Sequence, residues 1–293
     1  MTDILNEIGR TKKQSSAGNT ETGPLSPIGL YELFLFSTTA FVLSALLIQF
    51  LLTVQNAILL RCFSLKFIYS PLGIRFSFVS EASWSDMRIF AIYGVAPLIF
   101  FLTGLILVRV LRKSKFNNWK LRLFITWVAF ILTHTFPAGL LAGIIIYDGF
   151  GVAFAWLADS IIIRVVIGIA VIVLIRLYRS MWQTLFLKSA YAGVFFTDFT
   201  NRKVFLTNVF IRPWIIGSLC MIPFVWNAHS LYWGLFLAGL GIVVLPFIST
   251  NIPAINLLVA KSDRKIWPVR YPVVYVLIGL FILWLVTLKH ISF

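Results

Sequence analysis

The sequence predicts an all-α polytopic membrane bundle of six to seven spans, with one short β-hairpin on the extracytoplasmic side. Three observations carry that expectation. Of 293 residues, 60% are hydrophobic and only 12% are charged, with a mean hydropathy of +0.94. A soluble domain carries roughly a quarter of its residues charged, so a water-soluble globule is excluded. Several runs are apolar over the ~20 residues that a helix needs to cross a ~30 Å hydrocarbon core. Finally, Lys and Arg fall almost wholly between alternate pairs of those runs.

Residues 1–28 are polar and balanced in charge, which predicts a disordered cytoplasmic tail ahead of a transmembrane domain over 29–293. The first apolar run begins near residue 30 at full span length, so no cleavable signal is read. Spans are expected at 31–59, 89–110, 122–147, 152–176, 208–226, 230–249 and 271–288. The turn between the fifth and sixth is placed at Trp226-Asn227-Ala228-His229-Ser230, the most polar point of a charge-free run from Pro213 to Ala260.

Orientation follows from charge. Arg10, Lys12 and Lys13 precede the first span. Arg109, Arg112, Lys113, Lys115, Lys120 and Arg122 join the second to the third. Arg176, Arg179, Lys188, Arg202, Lys203 and Arg212 join the fourth to the fifth, and Lys261, Arg264, Lys265 and Arg270 precede the last. Only Arg61, Lys66, Arg75, Arg88 and Lys289 fall on the other side, with Arg164 inside a span. The positive-inside rule then puts the N-terminus in the cytoplasm and the C-terminus outside, in a plasma or inner membrane. The formal charge of +15 is read as loops facing a bilayer with anionic headgroups, not as a nucleic-acid footprint.

Two segments break the pattern of spans. Between 62 and 80, Phe63, Leu65, Phe67 and Tyr69 alternate with polar residues, as do Ile74, Phe76 and Phe78. Ser70-Pro71-Leu72-Gly73 between them has a type I turn's proline and glycine, so an outer β-hairpin is expected. It either lies flat on the helices or offers an edge to a membrane-protein partner. Over 178–206, Trp182, Phe186, Tyr191, Phe195, Phe196, Phe199 and Phe205 are interleaved with basic residues. That composition predicts an inner interfacial segment with rings in the acyl boundary, a second candidate partner contact. Gly139 and Gly143 form a GxxxG that lets another helix approach closely.

The candidate functional residues are ionisable groups in the apolar layer: His134, Asp159 and Arg164. His134 lies mid-span, with Pro137 freeing a carbonyl near residue 133. If the third and fourth spans pair about a turn at 148–151, His134 faces residue 165, which puts Arg164 at its depth and Asp159 ~7 Å nearer the outside. Intramembrane charges normally face a bundle interior and pair, so the three would relay protons or hold a headgroup. Alternatively, 150–158 is a short interfacial stretch, Asp159 starts the span, and Arg164 snorkels outward.

Metal chemistry would need three or four converging ligands. His134, Asp148 and His229 differ in expected depth, and Cys62 and Cys220 form no motif, so neither a metal nor another cofactor is expected. The sequence lacks HExxH, a GK[ST] phosphate loop and a GxSxG elbow.

A span, a hairpin, and then Ala91-Ile92-Tyr93-Gly94-Val95-Ala96-Pro97-Leu98 opening a second span resembles the layout of site-2-protease-like membrane metalloproteases, over about 60 residues. The first span reads Thr53-Val54-Gln55-Asn56-Ala57 where that family carries its zinc motif, and the expected orientation is opposite. The resemblance therefore implies a degenerate, zinc-less relative and transfers no catalytic residue. The expectation is a non-enzymatic assembly subunit or carrier. The alternative is an intramembrane enzyme or proton-coupled transporter using the buried His/Asp/Arg cluster.

Overall fold

A computed structural model describes residues 27–70, 73–76, 85–113, 118–145, 150–158, 160–189, 199–227 and 291–292. The spans expected at 230–249 and 271–288, and nearly all of the tail expected over 1–28, lie outside these residues. Helix α1 is Pro27–Cys62 and is followed by strands β1 (Phe67–Ser70) and β2 (Gly73–Phe76). Helix α2 runs as Asp86–Ile89, a wide π turn Phe90–Gly94, and Val95–Lys113. Next come α3 (Trp119–Ile145), the short α4 (Phe150–Leu157) and α5 (Ile161–Leu187). Helix α6 runs as Phe199–Leu206, a second π turn Thr207–Ile211, and Arg212–Asn227; strand β3 is Ile291–Ser292. Among the described residues, five helical stretches are long and apolar enough to cross a bilayer: Leu30–Cys62, Met87–Lys113, Trp119–Ile144, Ile161–Leu187 and Arg202–Ile222.

Helix α1 stops at a Schellman motif. Ser64 takes a left-handed φ of 56°, the Leu65 N–H donates to the Leu60 carbonyl and the Ser64 N–H to that of Arg61. The accompanying apolar contact is made by Leu60 and Leu65, which join Phe67 and Ile92 in a small buried cluster. This cluster ties the start of β1 to the π turn of α2. Strand β1 pairs antiparallel with β2, Phe67 opposite Phe76 and Tyr69 opposite Ile74, so these four residues share one face. Its other edge pairs with β3, Tyr69 opposite Ile291.

Both π turns have the same cause. Pro97 lacks the N–H that would serve the Tyr93 carbonyl, and Pro213 the one that would serve Val209; each ring also crowds the carbonyl four residues back. The helix widens to relieve the clash, and the Val95 and Arg212 N–H groups reach five residues back, to Phe90 and Thr207.

Two expected boundaries need correction. The span at 152–176 is two helices, α4 and then α5, which begins at Ile161 and continues eleven residues past 176. The interfacial segment at 178–206 is therefore helical through Leu187 and again from Phe199. Trp182, Phe186 and Phe205 lie inside the bundle core rather than against lipid. Alternating rings and cations look alike for a helix lying on a membrane and for one whose single apolar stripe packs on other helices; only tertiary packing separates them.

The candidate functional site

At the centre of the bundle sits Trp127 of α3, with no exposed surface. Its ring meets Phe41 of α1 at 5.0 Å, Phe186 of α5 at 4.9 Å and Phe210 of α6 at 5.4 Å. The indole N–H donates to Ser37 Oγ of α1 at 2.8 Å, and the Ser37 hydroxyl donates to the Val209 carbonyl. That carbonyl belongs to the π turn and lost its usual helical donor to Pro213. One serine thus closes a gap that a proline opened and ties three helices together. At the preceding residue of α3, the Thr126 hydroxyl meets that of Ser189, just past the end of α5, at 3.2 Å.

His134 is buried on α3, one turn from Phe130. Its Nδ1 lies 2.7 Å from the Phe130 carbonyl and must carry the proton to bond there, which leaves Nε2 as the basic nitrogen. Thr133 and Thr135 likewise return their hydroxyls to carbonyls of their own helix, at Ala129 and Ile131. The imidazole packs between aromatic rings, 4.4 Å from Phe130 and 5.6 Å from Trp182.

The expected cluster is not assembled as the sequence suggested. His134 stands against Trp182, eighteen residues beyond Arg164 on the same helix, or ~27 Å at 1.5 Å per residue. The break after α4 shifts the pairing register: a β-carbon on Gly168 would meet Ile144 and Leu141, where the hairpin about 148–151 would have brought Gly168 opposite residue 131. Arg164 is buried at the head of α5, and its Nε donates to the Ala158 carbonyl at 2.6 Å. It serves the open C-terminal end of α4, where a cation also meets the negative end of the helix dipole. Asp159 lies outside the described residues.

Arg122 has a similar structural use, its Nη2 donating to the Leu111 carbonyl in the last turn of α2. Gln183, fully buried beside Trp182, stands apart: neither its amide oxygen nor its nitrogen has a hydrogen bond. Among the described residues no group of three or more His, Cys, Asp or Glu is placed to hold a metal ion.

Sequence reasoning missed the tie from Trp127 through Ser37 to Val209. The one local signal was Pro213, which marks a carbonyl four residues earlier as short of a donor. Comparison with protein-family models, with curated proteins and with solved structures finds no match to this chain.

Proposed function

We propose that the chain is a non-enzymatic subunit of a membrane assembly. The observation that carries this reading is where the buried polar side chains go. Ser37 with Trp127, Thr126 with Ser189, Arg164 and Arg122 each join one helix to the next, and none converges with another on a shared point. A carrier or an enzyme needs polar groups aimed at a common ligand; a subunit needs a frame. One observation favours the second reading, a proton-coupled transporter or intramembrane enzyme. His134 keeps an unprotonated Nε2 and packs on Trp182, the chain neighbour of Gln183, whose buried amide has no hydrogen bond.

The topology belongs to the same proposal. Strand β3 pairs with β1, which directly follows α1, so residues 291–292 and the hairpin share one side. The five span-length helices of the described residues end with Asn227 on that side too, as the reading of two further spans at 230–249 and 271–288 requires. Two crossings give seven spans. With the basic loops in the cytoplasm, the hairpin and Ile291–Ser292 then lie outside a plasma or inner membrane whose anionic headgroups meet those loops. Strand β1 is paired on both edges, so a partner strand would join β2 or β3.

The test is mass spectrometry of the tagged chain, purified in mild detergent from its own membranes, for wild type and His134→Gln. A partner at fixed ratio in both samples is the expected result. A chain that emerges alone, with a transport or catalytic phenotype abolished by His134→Gln, would establish the second reading instead. A reporter fused after residue 293 should be active only outside the cell; activity in the cytoplasm overturns seven spans.

A further inference from the structure

Trp127 touches Ser37, Phe186 and Phe210, and these four residues mark a single cross-section through α1, α3, α5 and α6. Helix α2 is keyed to it by Gly104, which packs on Thr133. Among the described residues, most of the exposed large apolar side chains lie on one side of this section. They run over Leu47–Ile58 on α1, Met87–Val110 on α2, Ile161–Tyr178 on α5 and Ile215–Ile222 on α6. On α2 that girdle is ~35 Å tall and on α5 ~26 Å, at 1.5 Å per residue. The pair brackets the ~30 Å of a hydrocarbon core.

Below the girdle the pattern reverses. Among the described residues the exposed large apolar ones there are Tyr31, Leu121 and Val204, whereas Trp127, Trp182, Phe186, Phe205 and Phe210 are each at most 1% exposed. Apolar inside and polar outside is the arrangement that water imposes, not lipid. The changeover is marked by arginines on three helices. Arg109 and Arg112 flank Val110, Arg176 and Arg179 flank Tyr178, and Arg212 lies three residues before Ile215. Arg109, Arg176 and Arg212 are exposed; Arg212 gives one of its five N–H groups to Asn208 Oδ1. Counted along the helices from the shared section, the changeover falls within ~15 Å on all four.

The geometry points to a lipid-headgroup collar: Arg109, Arg176 and Arg212 bind the phosphates of anionic phospholipids where the bundle leaves the bilayer, and the aromatic section beneath them stands in water as a helical platform. The inference deepens the reading of a chain set in an anionic membrane. It also moves His134 from mid-bilayer to the collar: its ring packs on Trp182, four residues below the last exposed apolar residue of α5. Guanidinium suits the role because its planar fork grips phosphate oxygens in pairs and its long stem reaches along apolar surface.

The test uses the full chain in nanodiscs of phosphatidylcholine with or without phosphatidylglycerol. Nitroxide labels are attached to single cysteines at Ile169, Lys203 and Val204, in a background where Cys62 and Cys220 are serine. Ile169 should respond to dissolved oxygen, and Lys203 and Val204 to a water-soluble nickel chelate; an oxygen-dominated label at Val204 overturns the platform. Phosphatidylglycerol should raise the unfolding temperature of the wild type. That shift should vanish in the triple variant Arg109→Gln, Arg176→Gln, Arg212→Gln and persist in Arg88→Gln at the opposite rim. If the triple variant does not fold, each single variant should lose part of the shift. A shift that survives in them overturns the collar and leaves the subunit reading standing, whereas a missing partner at purification does the reverse.

Discussion

Ser37→Ala should destabilise the protein by about 2 kcal/mol or more, while Ser44→Ala, seven residues along the same helix, should be neutral or mildly stabilising. Both serines are wholly buried, so exposure does not separate them. Partners do. Ser37 accepts from the Trp127 indole and donates to the Val209 carbonyl, so its removal strands a buried donor and a buried acceptor. An unpaired buried group costs about 1–3 kcal/mol. The Ser44 hydroxyl has no hydrogen bond to lose, and an alanine there removes a buried polar group that nothing compensates. Trp127→Ala should cost most, about 3–5 kcal/mol, because it opens a cavity among Phe41, Phe130, Phe186 and Phe210. Trp127→Phe keeps most of the ring contact and isolates the hydrogen bond. Interhelical hydrogen bonds in membrane proteins average only about 0.6 kcal/mol in double-mutant cycles, since groups set free in lipid find other partners. A coupling between Ser37→Ala and Trp127→Phe well above that value is expected, because the proline at 213 denies Val209 its substitute. Far-UV circular dichroism over an SDS titration in mixed micelles measures all four variants. Equal losses at Ser37 and Ser44 would refute the tie.

The sequence announced span-length helices because each needs only an unbroken apolar run, and α1, α2 and α3 lie close to their expected limits. It announced the alternation of Phe67, Tyr69, Ile74 and Phe76 because a strand's period of two is local. The head of α5 was misplaced in the span read as 152–176 because Phe150–Leu157 is as apolar as the helix that follows; only the polar Asp159 marks the break, and the alternative of a separate short stretch over 150–158 matches α4. That error propagated to the site. The distance from His134 to Arg164 depends on the pairing register, and register depends on where the turn falls. The rings between 178 and 206 were assigned to lipid for a related reason: an apolar stripe does not say what covers it. Gly143 was expected to admit another helix closely; its neighbour is the backbone of Gly151, at the head of the short helix the sequence merged into a span. Pro97 and Pro213 were visible throughout, yet their consequence, a freed carbonyl in a widened turn, has meaning only once a donor from another helix is placed beside it.

Gly104→Ala should be far more damaging than Gly168→Ala, although the second substitution makes the closer contact. A β-carbon at Gly168 would lie 2.4 Å from Ile144 Cδ1, the free end of a flexible side chain that can turn aside. At Gly104 it would lie 2.6 Å from the Thr133 backbone nitrogen, 2.7 Å from Thr133 Cγ2 and 3.0 Å from the Leu132 carbonyl carbon. Backbone in the middle of α3 has no rotamer to change, so α2 and α3 must separate. Alanine gains about 1 kcal/mol over glycine in helix propensity at either site. Overpacking costs about 1–3 kcal/mol, and a clash with fixed backbone belongs at the upper end. Gly168→Ala should therefore come out near zero, and Gly104→Ala about 2 kcal/mol destabilised in the same SDS titration. The position matters beyond stability. Gly104 lies between the hairpin end of α2 and Arg109, and it keys this helix to the Trp127 section. Forcing α2 away from α3 should loosen Leu111 from Arg122 as well. Arg122→Gln combined with Gly104→Ala should then cost less than the sum of the two single losses. Strict additivity would mean that the helices repack locally around the new methyl group and stay in register.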